Sequence, residues 1–161
     1  MKLPVDPLVP LKIQPQRKIA FPKRPKLKKL LNELHEADML EYVDGPTECI
    51  SNLVLTPKSN PDEIRMNIDM TCANEAIQKT RHVIPALDEI RAQLNGATVF
   101  SKLDMKHGYM QLELTKESRH LTTFYTPEGL RRSKRLIFGA NAAAELFHEE
   151  IRRSIADIEG V

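Results

Sequence analysis

The sequence predicts an α+β fold in which antiparallel hairpins pack on helices. Three observations lead there. Residues 25–42 and 141–158 carry apolar side chains at three- and four-residue steps, the spacing of an amphipathic helix face. Residues 50–55 and 64–68, and again 121–125 and 130–137, are strand-like runs separated by turn-forming residues. Between these lies a period-two stretch in which Val99, Ser101, Leu103 and Met105 alternate with Phe100, Lys102 and Asp104.

A chain of 161 residues is expected to form one domain and to bury roughly 70% of the surface its unfolded form exposes. Eleven prolines against 6 glycines is a proline-heavy balance, and the prolines cluster near the start. The net charge of +2 is close to neutral, so a polyanionic partner must be argued from where the charges lie. Cys49 and Cys72 stand alone without CxxC spacing, as expected of reduced, buried thiols in an intracellular protein, cytoplasmic or nuclear. No apolar run approaches the ~18 residues of a membrane span, and no secretory signal is visible.

Residues 1–24 read as a proline-rich, basic, extended arm, because each proline fixes φ at about −65° and removes a backbone donor. Lys12, Arg17, Lys18, Lys23 and Arg24 lie within it, and Lys26, Lys28 and Lys29 just past it. That density suits phosphate contacts and suits a solvated tail equally well. The helix over 25–42 follows, with Pro25 in its first turn and Leu27, Leu30, Leu31, Leu34 and Ala37 on one face. Asp44-Gly45-Pro46-Thr47 breaks it. Strands 50–55 and 64–68 then make a long hairpin whose tip runs from Thr56 to Glu63, with Lys58 and Arg65 on opposite arms.

Residues 71–84 read as irregular with one helical turn near Ala73. Pro85 opens a short helix bearing Leu87, Ile90 and Leu94, and Asn95-Gly96 supplies a left-handed stop. The Asp104 strand begins next, ends at Gly108, and is followed by a second strand in which Met110, Leu112 and Leu114 alternate with Gln111 and Glu113. Thr115-Lys116-Glu117-Ser118 is a turn, and Thr126-Pro127-Glu128-Gly129 reverses strand 121–125 into strand 130–137. Arg131, Arg132, Lys134 and Arg135 on that arm are either a nucleic-acid surface or a solvated edge guarded against aggregation. Ala144, Phe147, Ile151, Ile155 and Ile158 mark the last helix, with Gly160 past its end.

Several chemistries drop out. His148 lacks the second histidine of a metalloprotease pair, and the phosphate-loop, dinucleotide and nucleophile-elbow glycine patterns are absent. What remains is a carboxylate at a strand end, a tyrosine five residues later, and basic residues on separate hairpins. That set suits Mg²⁺-assisted phosphoryl chemistry, in which ions ~3.5–4 Å apart clamp an in-line displacement. Asp104 alone cannot hold two ions, and an aspartate there also serves as a turn or cap residue.

Phe100-Ser101-Lys102-Leu103-Asp104 with Gly108-Tyr109 and Gln111 resembles the first catalytic motif of reverse transcriptases of gypsy-type LTR retrotransposons. Further motifs agree in family order: Pro25-Lys26-Leu27, Ile64-Arg65-Met66-Asn67-Ile68-Asp69 with Ala73-Asn74, the 82–88 stretch, Asn95-Gly96-Ala97, Ser118-Arg119, Thr122-Thr123-Phe124, Gly129-Leu130-Arg131-Arg132, Lys134-Arg135-Leu136 and Phe138-Gly139. The resemblance implies fingers and the start of the palm over 25–96 and a partial palm over 97–161. It implies Lys58 and Arg65 as contacts to a nucleotide triphosphate, Asp104 as the catalytic metal-binding aspartate, and Tyr109 as the aromatic beneath the nucleotide sugar. Phe138 and Gly139 would complete the nucleotide pocket. Two Mg²⁺ ions, an RNA template, a DNA primer and deoxynucleoside triphosphates are the implied cofactor and partners, with no membrane.

The sequence also departs from the family pattern. Lys58-Ser59-Asn60-Pro61-Asp62 replaces two lysines and a glycine, Ile137 stands where proline is commoner before Phe138-Gly139, and no proline occurs in 140–144. The family's Asp-Asp motif does not occur in these 161 residues. The expectation is therefore a polymerase fragment with an incomplete, inactive and poorly stable palm. The alternative is a non-catalytic nucleic-acid-binding remnant of a degenerate or domesticated retroelement.

Overall fold

The computed structural model describes residues 1–79 and 86–158. Pro85 as a helix opener, His82 in the 82–88 motif and Gly160 as a helix stop lie outside them. The first helix, α1 (Arg24–Glu36), has a proline in its first turn and buries Leu27 and Leu31. It is shorter than the 25–42 stretch that the leucine spacing suggests. Asp38 adopts φ 56°, Asp38 N–H donates to the His35 carbonyl at 3.0 Å, and Met39 N–H donates to the Leu34 carbonyl at 2.9 Å. This is a Schellman ending with aspartate in the place usually taken by glycine. The chain then turns directly into strand β1 (Leu40–Tyr42).

Strands β2 (Leu53–Pro57) and β3 (Ile64–Ile68) pair antiparallel as the expected hairpin, with Leu53 opposite Ile68 and Thr56 opposite Arg65, the first arm lying at 53–57 rather than 50–55. Helix α2 (Thr71–Ala76) takes the place of a mostly irregular segment, and α3 (Leu87–Gln93) ends before Gly96, whose φ is +88°. Helix α4 (Lys116–Arg119) replaces the turn expected at 115–118. Strands β4 (Thr123–Thr126) and β5 (Gly129–Ser133) form the second hairpin, and β1 adds to the other edge of β5, giving the order β1-β5-β4. Helix α5 (Ala143–Ile155) closes the described chain.

The two sheets are stitched together by backbone at Ser51, whose N–H donates to the Thr123 carbonyl and whose carbonyl accepts from Tyr125 N–H. The proline-rich arm packs on the same seam. Ile13 bridges Ile50, Val5 bridges Ile77, and Leu3 is buried. Gln14 is buried as well, and its side-chain oxygen accepts from both the backbone and the side-chain nitrogen of Asn52, at 3.0 and 2.9 Å. Proline fits such a strand because an edge position asks for few donors. The core runs through Leu27, Leu31, Leu40, Ile64, Leu121 and Phe124. No helix among the described residues is long and apolar enough to cross a membrane.

The largest difference from the sequence expectation concerns Asp104. Residues 97–105 hold no regular secondary structure, and Val99 and Leu103 are 84% and 92% exposed. A period-two pattern states which side chains share a face, but a strand also needs a neighbour to complete its hydrogen bonds. Among the described residues none pairs with it. The run after Gly108 is likewise a 3-10 turn (Gly108–Gln111) and a single bridge from Glu113 to Arg135, not a full strand.

Candidate nucleotide and nucleic-acid site

Tyr109 sits in the 3-10 turn that follows His107, a residue with left-handed φ of 54°. Its ring meets Phe138 edge-on at 4.5 Å and Phe147 of α5 at 5.0 Å. Arrangements of this kind are favoured by the ring quadrupoles. Gly108 makes the approach possible, since a Cβ there would stand 3.0 Å from the Phe147 ring. Phe138 is 57% exposed, so the cluster presents one aromatic face outward.

The next residue, Gly139, has φ +94° and lies against the end of β3, where a Cβ would meet the Ile68 carbonyl at 3.6 Å. Asn74 of α2 fixes this loop. Its side-chain nitrogen donates to the Gly139 carbonyl at 2.7 Å, its side-chain oxygen accepts from Asn141 N–H at 2.8 Å, and its carbonyl accepts from the Asn141 side chain at 3.1 Å. Tyr109, Phe138 and Gly139 are therefore brought together and tied to α2, which directly follows the strand that carries Arg65.

At the hairpin tip Lys58 pairs with Glu63 at 2.8 Å, and that hydrogen bond holds the Glu63 carboxyl below its ordinary range. Lys26 of α1 reaches the same tip, donating to the Pro61 carbonyl at 2.6 Å. Arg65, opposite Thr56, is exposed and makes no ion pair among the described residues.

The basic arm of β5 has a different character from the one its sequence suggests. Arg131 is 1% exposed. It donates to the Leu31 carbonyl at 3.1 Å, to the Tyr42 hydroxyl at 3.0 Å and to Glu128 at 3.3 Å. Arg132 pairs with Glu41 at 2.5 Å, Lys134 with Asp38 at 2.5 Å, and Arg135 lies 4.0 Å from Glu113. Buried Arg119 adds bonds to Glu41 and Glu113. A polyanion cannot reach Arg131, whereas Arg132, Lys134 and Arg135 are ion-paired within the chain but partly exposed. For Arg131 the sequence expectation of a surface cation is corrected, with a physical cause: strand β5 is central in its sheet, so this cation crosses the core edge and needs polar partners there.

Asp104 is exposed on the irregular segment. Among the described residues no group of three or more His, Cys, Asp or Glu side chains converges. One carboxylate can lend a single oxygen ligand to Mg²⁺, but it does not build a two-ion site. Sequence reading missed Asn74 as a tether and Phe147 as the third ring. Phe147 was visible only as an apolar position on a helix face.

Residues 56–160 match the family model for reverse transcriptase (RNA-dependent DNA polymerase). The chain is 30% identical over 133 residues to an uncharacterized protein of Caenorhabditis elegans, covering 81% of this chain and 10% of that protein. It is 34% identical to the Pol polyprotein of transposon 412 of Drosophila melanogaster over 65% of this chain and 8% of the polyprotein. For the Pol polyprotein of transposon gypsy the identity is 31%, over 67% of this chain and 10% of the polyprotein. Among solved structures, prototype foamy virus protease-reverse transcriptase superposes with a TM-score of 0.80 at 21% identity, over 98% of this chain and 21% of that one. A foamy viral protease-reverse transcriptase in complex with an RNA/DNA hybrid gives 0.77 at 18% identity. The α+β architecture is thus that of a reverse transcriptase, and the chain spans about a tenth of the curated relatives described.

Proposed function

We propose that this chain, which belongs to the reverse transcriptase (RNA-dependent DNA polymerase) family, forms the fingers and nucleotide-facing palm segment of a gypsy-type retroelement polymerase. The observation that carries this reading is the Tyr109–Phe138 contact, held next to Gly139 and tied through Asn74 to α2, the helix that follows the strand bearing Arg65. In it, Arg65 meets the triphosphate of an incoming nucleotide, and Lys58 joins it by exchanging Glu63 for phosphate oxygens. Tyr109 lies under the sugar and disfavours a 2′-hydroxyl by contact. Asp104 lends one oxygen ligand to Mg²⁺. Because no group of three or more His, Cys, Asp or Glu side chains converges among the described residues, the 161-residue polypeptide binds nucleotide and template–primer without extending the primer.

The test is titration of a labelled RNA/DNA template–primer and a matched deoxynucleoside triphosphate into the chain. Arg65→Ala should weaken nucleotide binding by roughly tenfold or more, the worth of one charge-assisted contact. Tyr109→Ala should erase the preference for deoxyribose over ribose. Equal affinity of both variants and the parent would overturn the site. Primer extension abolished by Asp104→Ala would overturn the claim of inactivity.

The solitary carboxylate also favours a second reading, a nucleic-acid-binding remnant without turnover. Lys18 and Lys29 are exposed and make no ion pair among the described residues, which leaves them available to phosphates. Contact with about six phosphates would make affinity fall by roughly three orders of magnitude between about 50 and 200 mM salt. That slope without any nucleotide dependence would select this reading.

A further inference from the structure

We propose that Glu63 is a built-in competitor for the nucleotide triphosphate: its carboxylate occupies the Lys58 ammonium and so sets how tightly the hairpin tip takes a polyphosphate, an inference that rests on Lys58 being a triphosphate contact. The β2–β3 register ends with Pro57 opposite Ile64. Lys58 N–H then donates to the Glu63 carbonyl at 3.3 Å, which adds one more rung and sets the two side chains across from each other. Both oxygens of the Glu63 carboxylate are engaged. One accepts from the Lys58 ammonium at 2.8 Å and the other from the Asn60 side-chain nitrogen at 3.3 Å. Asn60 is in turn placed by the turn itself, its carbonyl accepting from Glu63 N–H at 3.0 Å and its side-chain oxygen from Asp62 N–H at 3.1 Å. The turn therefore aims the carboxylate at Lys58.

Charge makes this pairing a barrier to an anion. From Thr56 to Glu63 the tip carries one lysine against one aspartate and one glutamate, a net charge of −1. A polyphosphate gains Lys58 only when Glu63 gives it up. Asp62 is not the gate: it is 90% exposed and pairs at 3.6 Å with Lys26 of α1, which also donates to the Pro61 carbonyl. Lys26 thereby anchors the turn to α1, so the Glu63 side chain can swing off Lys58 while the tip backbone stays in place. The pair is open to solvent, with Lys58 44% and Glu63 53% exposed, and it borders a cleft of about 490 Å³ between α1 and the tip. An exposed cross-strand ion pair favours its closed form by up to roughly fivefold, and a ligand that needs Lys58 is weakened by the same factor.

The experiment is titration of a labelled deoxynucleoside triphosphate, with matched RNA/DNA template–primer, into the 161-residue chain, read by anisotropy. Glu63→Gln keeps the shape and removes the charge, and should tighten binding by roughly two- to fivefold. In a Lys58→Ala background the same exchange should have no effect, because the competitor acts only through that cation. Asp62→Asn should leave the affinity unchanged. A Glu63→Gln variant no tighter than the parent, the same gain with Lys58 absent, or an equal gain from Asp62→Asn would overturn the proposal. Arg65→Ala separates it from the polymerase reading. A loss of roughly tenfold in Arg65→Ala with no gain in Glu63→Gln removes the competitor and keeps the nucleotide site. A gain in Glu63→Gln through Lys58 with no loss in Arg65→Ala keeps the competitor and removes Arg65 from the site. Absence of binding by the parent and by Glu63→Gln alike overturns both. All these substitutions lie on the exposed hairpin, and unchanged circular dichroism confirms that the fold is intact.

Discussion

The guanidinium of Arg131 lies 4.5 Å over the ring of Tyr42 and also donates to that tyrosine's hydroxyl at 3.0 Å. One cation thus joins strands β5 and β1 to helix α1 through the Leu31 carbonyl. Arg131→Met should destabilise the chain by about 2–3 kcal/mol. That is less than the ~3–5 kcal/mol for a fully buried pair, because Glu128 keeps contact with water. Urea unfolding measures this. Nucleic-acid affinity, read by anisotropy, should stay unchanged, and a loss of affinity without a loss of stability would contradict the structural role.

Gly108→Ala places a methyl 3.0 Å from the Phe147 ring, so Phe147 has to move and Tyr109 loses its perpendicular partner. Overpacking of this kind costs about 1–3 kcal/mol. With 3 tyrosines and no tryptophan in the chain, near-ultraviolet circular dichroism reports the change directly. An unaltered tyrosine signal would show that the cluster is looser than described.

Acid should unfold the protein through specific carboxylates. Asp69 is held below its ordinary range chiefly by the Thr71 hydroxyl at 2.6 Å, with Arg17 adding its charge at 3.3 Å. Lysines do the same for Glu128 and Asp38. A carboxyl lowered in the folded state binds fewer protons there than in the unfolded chain, so its contribution is present above about pH 4 and is lost as pH falls through the folded values. The urea midpoint should be flat from about pH 7 to 5 and drop below that. Thr71→Val should make the drop shallower, and a midpoint that rises on acidification would refute the sign.

The two cysteines should differ in reactivity. Burial pushes the Cys49 thiol up to about 11, so it is protonated and shielded at neutral pH, whereas Cys72 is only half-buried. A thiol reagent should titrate one group quickly in the native chain and the second only on unfolding. Equal rates would place Cys49 nearer the surface than the structure does.

Local chemistry made part of this legible in the sequence. The β2–β3 hairpin follows from an apolar, partly β-branched run and an alternating one on either side of a turn-rich tip, and β4–β5 from Thr126-Pro127-Glu128-Gly129. The leucine face of α1 was equally plain, but its end was not. Asp38 takes a conformation that usually calls for glycine, and its carboxylate is held by Lys134, 96 residues away. Arg131 looked like a surface cation because the partners that bury it lie 89 and 100 residues distant. Asn74 gave no sign of tethering Gly139, since side-chain to backbone bonds across 65 residues leave no periodic trace. For 99–105 the alternation suggests a strand with two faces, but the segment is irregular and exposed on both, because alternation says nothing of whether a neighbour exists to complete its hydrogen bonds.

The Asn74 tether has a mechanical consequence. With three hydrogen bonds crossing from α2 to residues 139–141, the loop bearing Phe138 is held by α2 as well as by the helix that follows it in sequence. A tilt of α2 would pull on the loop that bears the exposed Phe138 ring and shift that ring against Tyr109. In hydrogen exchange the amide of Asn141 should therefore open in step with α2, and Asn74→Ala should uncouple the two.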